Sequence, residues 1–200
     1  MKVLLGSGAR NSASDSVGRR GQNGHVNPQC SVFIATSLDG FIAEEDGGLS
    51  FLAVAESGVN DYGYTPFIES VDAIVMGRAT YEVGLSFPQW PYEGKRLIVM
   101  TSGPDRAPVH GEEFTSEDPA TLVARLGAEG VRRVYVDGGA TIRSFLAAGL
   151  IDDMVISIIP MILGRGIPLF GLGVPPMPLR LDSVEAFPTG LAQLRYSRAG

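Results

Sequence analysis

Cysteine is nearly absent: Cys30 is the one residue of its kind in 200. That excludes an intrachain disulfide and any cysteine-rich metal site. It permits a reducing compartment, and a cytoplasmic protein is expected. Histidine is almost as scarce. His25 and His110 stand far apart in irregular sequence, without metal-ligand spacing, and read as structural or surface residues, so no metal is expected. Long apolar runs are missing too. Each run is short and interrupted, and no segment is expected to span a bilayer. Positive charge is in deficit, with a formal net charge of −6 and a pI of about 4.9. That balance argues against a general nucleic-acid binder. Any phosphate site must therefore be local, built from backbone N–H groups and a few arginines. No motif repeats at a fixed period, which excludes a solenoid.

What is present is globular material, 44% hydrophobic and 19% charged, long enough for one domain with a sizeable core. Residues 1–29 differ from the rest, being rich in Gly, Ser, Asn and Arg with little apolar periodicity. Lys2, Arg10, Arg19 and Arg20 stand there against Asp15, leaving a body with 12 positive and 21 negative residues. The segment reads as a disordered N-terminal extension, and the folded domain is expected over residues 30–198. Gly6-Ser7-Gly8 resembles a nucleotide turn, but no helical pattern follows it.

The body is organised around residues 131–171. The apolar run Val134-Tyr135-Val136 ends in Asp137-Gly138-Gly139, and a helical pattern follows with Ile142, Phe145 and Leu146 on one face. A turn at Gly149 leads to a second β-branched run, 154–159. This predicts a βαβ unit of a parallel sheet. Without Cβ atoms, Gly138 and Gly139 admit a ligand close to the backbone at a helix start, which suits a phosphate. They are equally suited to a tight turn that lets helix and sheet pack closely. Asp137 stands at the carboxyl end of its strand, where ligands of open α/β sheets bind.

Other strands end in similar chemistry. Residues 71–76 read as a buried strand that runs into Gly77-Arg78-Ala79-Thr80, a helix start with a guanidinium and a hydroxyl. Residues 96–100 end in Thr101-Ser102-Gly103. If these strands are parallel, all three ends share one sheet edge, which is more persuasive than any one alone. The first strand, 31–35, gives way to Thr36-Ser37-Leu38-Asp39-Gly40. Asp39 reads either as turn chemistry or as a carboxylate facing the cleft. Glu44, Glu45 and Asp46 read as solvated loop charges, and residues 87–92 as an aromatic, proline-rich loop that forms a substrate wall, a dimer contact or, as the safest reading, a cap on the core. Residues 51–70 are helical in part, 118–126 form a helix capped by Ser116 or Asp118, and 179–186 with 191–196 form a terminal antiparallel hairpin.

In these motifs the chain resembles the dihydrofolate reductase superfamily. It is most similar to the reductase domain of the bifunctional riboflavin-biosynthesis deaminase/reductase and its stand-alone relatives. The resemblance covers about residues 31–196. It is carried by Thr36 to Ala43, by Met76 to Glu82, by Asp137-Gly138-Gly139 with Leu150-Ile151-Asp152-Asp153, and by Pro160 to Phe170. It implies a dihydrofolate reductase-like α/β three-layer sandwich with a mainly parallel central sheet and a C-terminal antiparallel hairpin. It also implies NADPH as cofactor and a homodimer.

Carried over by motif, Gly77, Arg78 and Thr80 would touch cofactor phosphates. Thr101 and Ser102 would lie near the adenosine 2′-phosphate, and Gly138, Gly139, Ala140 and Thr141 would cradle the pyrophosphate. Asp39, with Ser37 beside it, would contact substrate or help move a proton. Asp137 would be acidic on the substrate side, and Arg165 would meet a substrate phosphate. The implied reaction is NADPH-dependent reduction of a small molecule, with 5-amino-6-(5-phosphoribosylamino)uracil as the best specific substrate. A dihydrofolate reductase-like activity on a pteridine and a non-catalytic NADP(H)-binding protein are the alternatives. The HxE and PCxxC signatures of a zinc deaminase are missing, so the deaminase half is not expected. Glu56 and Asp61 lie near the region where folate reductases carry a carboxylate, but neither sits in a matching motif.

Overall fold

The alternation of apolar residues along each strand decides how this chain layers. The computed structural model describes residues 26–55, 60–103, 107–171 and 173–199. The expected extension up to residue 25, with Gly6-Ser7-Gly8 in it, lies outside the described residues, as does Glu56. In chain order the strands are β1 (Gln29–Ser37), β2 (Phe41–Ala43), β3 (Ala73–Gly77), β4 (Arg96–Met100), β5 (Glu113–Thr115), β6 (Arg133–Asp137), β7 (Ile151–Ile159), β8 (Ile167–Pro168), β9 (Leu179–Ala186) and β10 (Ala192–Arg198). The helices are α1 (Tyr64–Ser70), α2 (Arg78–Leu85), α3 (Pro119–Ala128) and α4 (Gly139–Ala147), with a 3-10 turn at Ser50–Ala55.

Eight strands make one sheet in the order β5-β4-β3-β6-β1-β7-β10-β9. From β5 to β7 every neighbour is parallel, and β10 and β9 close the sheet antiparallel. Val134 and Val136 of β6 face a core cluster with Leu122 and Leu126 of α3 and Phe145 of α4, while Tyr135 between them faces Tyr64, Phe67 and Tyr81. Helices therefore cover both faces, giving the three layers that the sequence leads one to expect. In α4 the side chains of Ile142, Phe145 and Leu146 are buried, each worth about 2 kcal/mol of transfer free energy.

Local signals set the helix ends. Asp118 caps α3 by accepting from the N–H groups of Ala120 (3.0 Å) and Thr121 (3.1 Å), and Pro119 opens the first turn. Pro66 also lies in a first turn, that of α1, where its missing N–H costs nothing.

Two features lie beyond the sequence reading. The unit β6-α4-β7 does not join adjacent strands, because β1 lies between β6 and β7 and is parallel to both. Strand β1 carries Val32 into one core cluster and Phe33 into the other, so a central position buries both of its faces. The second is β5, a three-residue, half-buried strand paired to β4. It is too short and too polar to show periodicity. Ion pairs of Arg96 and Arg125 with Glu113 tie it to β4 and α3.

Candidate active site

Because β4, β3, β6 and β1 are parallel neighbours, their carboxyl ends lie along one sheet edge. The turn after β3, the turn after β4, Asp137 at the end of β6 and Ser37 at the end of β1 thus meet there. Met76 is the register partner of Asp137, and Gly77 that of Met100.

Two helices open at this edge without a side-chain cap. Gly77 precedes α2 and Gly138 precedes α4, and as glycines neither N-cap has a side chain to accept from the first turn. Their first N–H groups and positive dipole ends are left for another acceptor. The two starts pack closely. A Cβ on Gly138 would lie 2.1 Å from Thr80 Oγ1, and one on Gly77 would lie 3.0 Å from Thr141 Oγ1. The second residue of each helix, Ala79 and Ala140, is small and exposed. Ser102 is exposed beside them, and Thr101 Oγ1 accepts from Gly103 N at 3.1 Å. Arg78 reaches over this turn, with Nη1 2.6 Å from where a Gly103 Cβ would stand, and its Nε pairs with Glu82 at 3.1 Å. Of the motif residues, Gly77, Arg78, Thr80, Thr101, Ser102, Gly138, Gly139, Ala140 and Thr141 therefore share one edge.

Asp137 faces the aromatic layer. Its Oδ1 accepts from Gly138 N (2.8 Å) and its Oδ2 from Tyr92 Oη–H (3.2 Å). Burial among Tyr64, Tyr92 and Tyr135 raises its pKa above the ordinary carboxyl value, and the Gly138 N–H together with the Tyr135 and Tyr92 hydroxyls beside it opposes that rise only in part. The same burial, together with the Asp137 charge, pushes the Tyr64 and Tyr92 phenols up. A carboxyl of raised proton affinity at a ligand edge is suited to give a proton.

Asp39 is set up differently. It is exposed and accepts from Ser37 Oγ (2.6 Å), Leu163 N (3.1 Å) and Gly164 N (2.7 Å). The Ser37 hydroxyl and these N–H groups hold its carboxyl below the usual range. Ser37 Oγ in turn accepts from Phe41 N at 3.0 Å. The pair ties the 38–41 turn to the 161–164 loop, which brings the first and last motifs together. Arg165, on the next turn, is mostly exposed and pairs with Glu45 at 3.4 Å. The structure thus places it on an exposed loop tip beside the Gly164–Asp39 contact.

The profile of the RibD C-terminal domain matches residues 28–193. The chain belongs to this family. The uncharacterized protein YwjB of Bacillus subtilis (strain 168) is 38% identical over 170 residues, which is 84% of this chain and 97% of YwjB. A Shewanella sp. PV-4 protein named for riboflavin biosynthesis is 37% identical, with 86% of this chain and 99% of that one covered and a TM-score of 0.80. A Corynebacterium diphtheriae pyrimidine reductase-like protein shares the fold at 19% identity, with 86% and 92% covered and a TM-score of 0.62. The Thermotoga maritima diaminohydroxyphosphoribosylaminopyrimidine deaminase/5-amino-6-(5-phosphoribosylamino)uracil reductase does so at 17% identity and a TM-score of 0.63, over 86% of this chain and 57% of that longer one. No helix among the described residues is long and apolar enough to cross a membrane.

Within this RibD-type frame, two residues escaped the sequence reading. Arg143, on the second turn of α4, folds back over its own helix start. Its Nη1 donates to Pro168 O and lies 2.9 Å from where a Gly139 Cβ would stand. No carboxylate pairs with it among the described residues. The spacing of four from Gly139 was the available signal. Tyr92 is the other; nothing in a proline-rich loop announces that its hydroxyl reaches Asp137.

Proposed function

We propose that this RibD-type chain is an NADPH-dependent reductase acting on a small molecule of the aminouracil or pteridine kind. The best specific substrate is 5-amino-6-(5-phosphoribosylamino)uracil. The observation that carries the reading is the parallel edge at which β4, β3 and β6 end in two uncapped helix starts. Arg78 lies over the Thr101–Gly103 turn beside them. The residues fit a dinucleotide. Gly138 and Gly139 let the two helix starts pack closely side by side, and Ala79 and Ala140 keep their exposed ends uncrowded. Gly138, Gly139, Ala140 and Thr141 would hold the diphosphate, with Arg143 near it. Gly77, Arg78 and Thr80, with Thr101 and Ser102, would take the remaining phosphates and the adenosine 2′-phosphate.

When bound, the nicotinamide supplies a hydride to a C=N or C=O carbon. Asp137 gives its proton to the neighbouring heteroatom, is left as carboxylate, and is reprotonated from solvent. This role goes to Asp137 and not to Asp39, because Asp39 is held charged by three donors and keeps its proton weakly. Ser37 and Asp39 shape the substrate side by fixing the 161–164 loop, and Arg165 offers a cation to a substrate phosphate from the loop tip. The homodimer belongs to the same reading, with the β9–β10 hairpin as its contact.

A titration of NADPH against NADH on wild type and Arg78→Ala tests the cofactor site. Preference for NADPH of about tenfold or more, weakened in the variant, is expected for a guanidinium on the 2′-phosphate. Equal or absent binding of the two dinucleotides refutes it.

A further inference from the structure

We propose that Tyr92 is the positioning residue for Asp137, its hydroxyl fixing which carboxyl oxygen faces the substrate and how readily that carboxyl gives its proton. This rests on the reading of Asp137 as proton donor.

The phenol ring has little freedom. Tyr92 is 8% exposed. Trp90 packs edge-on against it at 5.2 Å, and Trp90 itself stacks on His110 at 4.2 Å. Gly84 of α2 leaves the room both rings need, since a Cβ there would lie 3.3 Å from Tyr92 Cε2 and 3.4 Å from Trp90 Cζ3. A ring held this way aims its hydroxyl at Asp137 Oδ2, 3.2 Å away.

The groups facing Asp137 come from three elements: Tyr64 of α1, Tyr92 of the loop after α2 and Tyr135 of β6 itself. All three are uncharged phenols. The Tyr135 hydroxyl already donates to Phe33 O at 2.9 Å. Gly138 N–H holds Oδ1. Tyr92 therefore supplies the side-chain proton that orients Oδ2. A donor to a carboxylate stabilises the charged form. Burial raises the proton affinity of Asp137, and the donors beside it, Gly138 N–H first and Tyr92 among them, keep that rise in check, so the carboxyl can both give a proton and recover it.

The test is a carbon-13 carboxyl NMR titration of Asp137 in the ligand-free protein. In Tyr92→Phe the Asp137 titration is expected at higher pH than in wild type, with the NADPH Kd changed by no more than about twofold. Fluorotyrosine at position 92 strengthens the donor while keeping the ring, and is expected to move the titration the other way. The two opposite shifts cannot come from a folding defect. With the aminouracil substrate, kcat of Tyr92→Phe is expected to fall roughly tenfold through lost orientation. The alkaline limb of its pH profile should move up with the titration. An Asp137 titration that stays put in both variants overturns the proposal. Asp137→Asn separates the two ideas: turnover surviving there removes the proton-donor reading and with it the role assigned to Tyr92, whatever the titration shows.

Discussion

Gly138 is where backbone and ligand chemistry meet most tightly. Its φ of +85° is one that side-chain-bearing residues rarely adopt. A Cβ there would also stand 2.1 Å from Thr80 Oγ1 and 3.1 Å from Thr80 Cβ. Gly138→Ala is therefore expected to cost about 2–4 kcal/mol, from the left-handed backbone and from overpacking together. Urea denaturation measures it, and a loss below about 0.5 kcal/mol would contradict the close packing of the two helix starts. Adding Thr80→Ala should restore part of the loss, since it removes the clash and leaves the backbone penalty. Asp39 and Asp137 make the complementary point. Both are carboxylates at strand ends in the sequence, yet one is exposed and held charged by donors while the other is half-buried, with its carboxyl set among phenols. Sequence spacing does not separate them, because burial comes from Tyr64 and Tyr92, which are distant in the chain.

At the scale of elements, legibility follows where the stabilising contacts lie. Strands β3, β4, β6 and β7 were visible because their own residues alternate or run apolar. The cap of α3 was visible because Asp118 and Pro119 act within four residues. The position of β1 between β6 and β7 was not, since long-range pairing carries no local period. The loop from residue 107 to 112 is another such case. Glu112 is buried and accepts from Tyr81 Oη–H, Val109 N (2.7 Å) and His110 N (2.8 Å). Burial raises its pKa, but these donors outweigh it and take the carboxyl down to about 2. In the sequence it is merely one of two adjacent glutamates. Its contribution to stability is fully present above the ordinary glutamate value of 4.5 and is lost as pH falls towards about 2. Glu112→Gln should thus lower stability at pH 7 by about 1–3 kcal/mol. The gap between variant and wild type should close on acidification through that window. A gap independent of pH would mean that shape, not charge, holds the loop.

The whole molecule presents one face that the helices leave uncovered. Strand β9 is exposed along its length and forms the edge of the sheet. In its pairing with β10, Leu181 lies opposite Tyr196 while Ser183 lies opposite Arg195, so Asp182 is a bulge. The bulge restores phase, placing Leu179, Leu181, Val184 and Ala186 opposite Arg198, Tyr196, Leu194 and Ala192. Through β7 that face is continuous with Met154 and Ile156 of the helix-covered core. Leu179, Leu181 and Val184 are 38%, 49% and 58% exposed there. Opposing polar residues fill the other face, so the pattern is selective and not a general excess of apolar surface. Each of the three side chains offers only about 1 kcal/mol on burial, less together than association costs. A stable contact must therefore extend across both hairpin strands, approaching the roughly 800 Å² per partner of ordinary interfaces. A second copy meeting this face with its own hairpin satisfies that, because each apolar stripe then covers the other. Light scattering after gel filtration should show a dimer for wild type and a monomer for the double variant Leu181→Glu/Val184→Glu, with unchanged far-UV circular dichroism. A wild type that runs as a monomer at tens of micromolar, or a double variant that stays dimeric, would each remove the hairpin from the dimer contact.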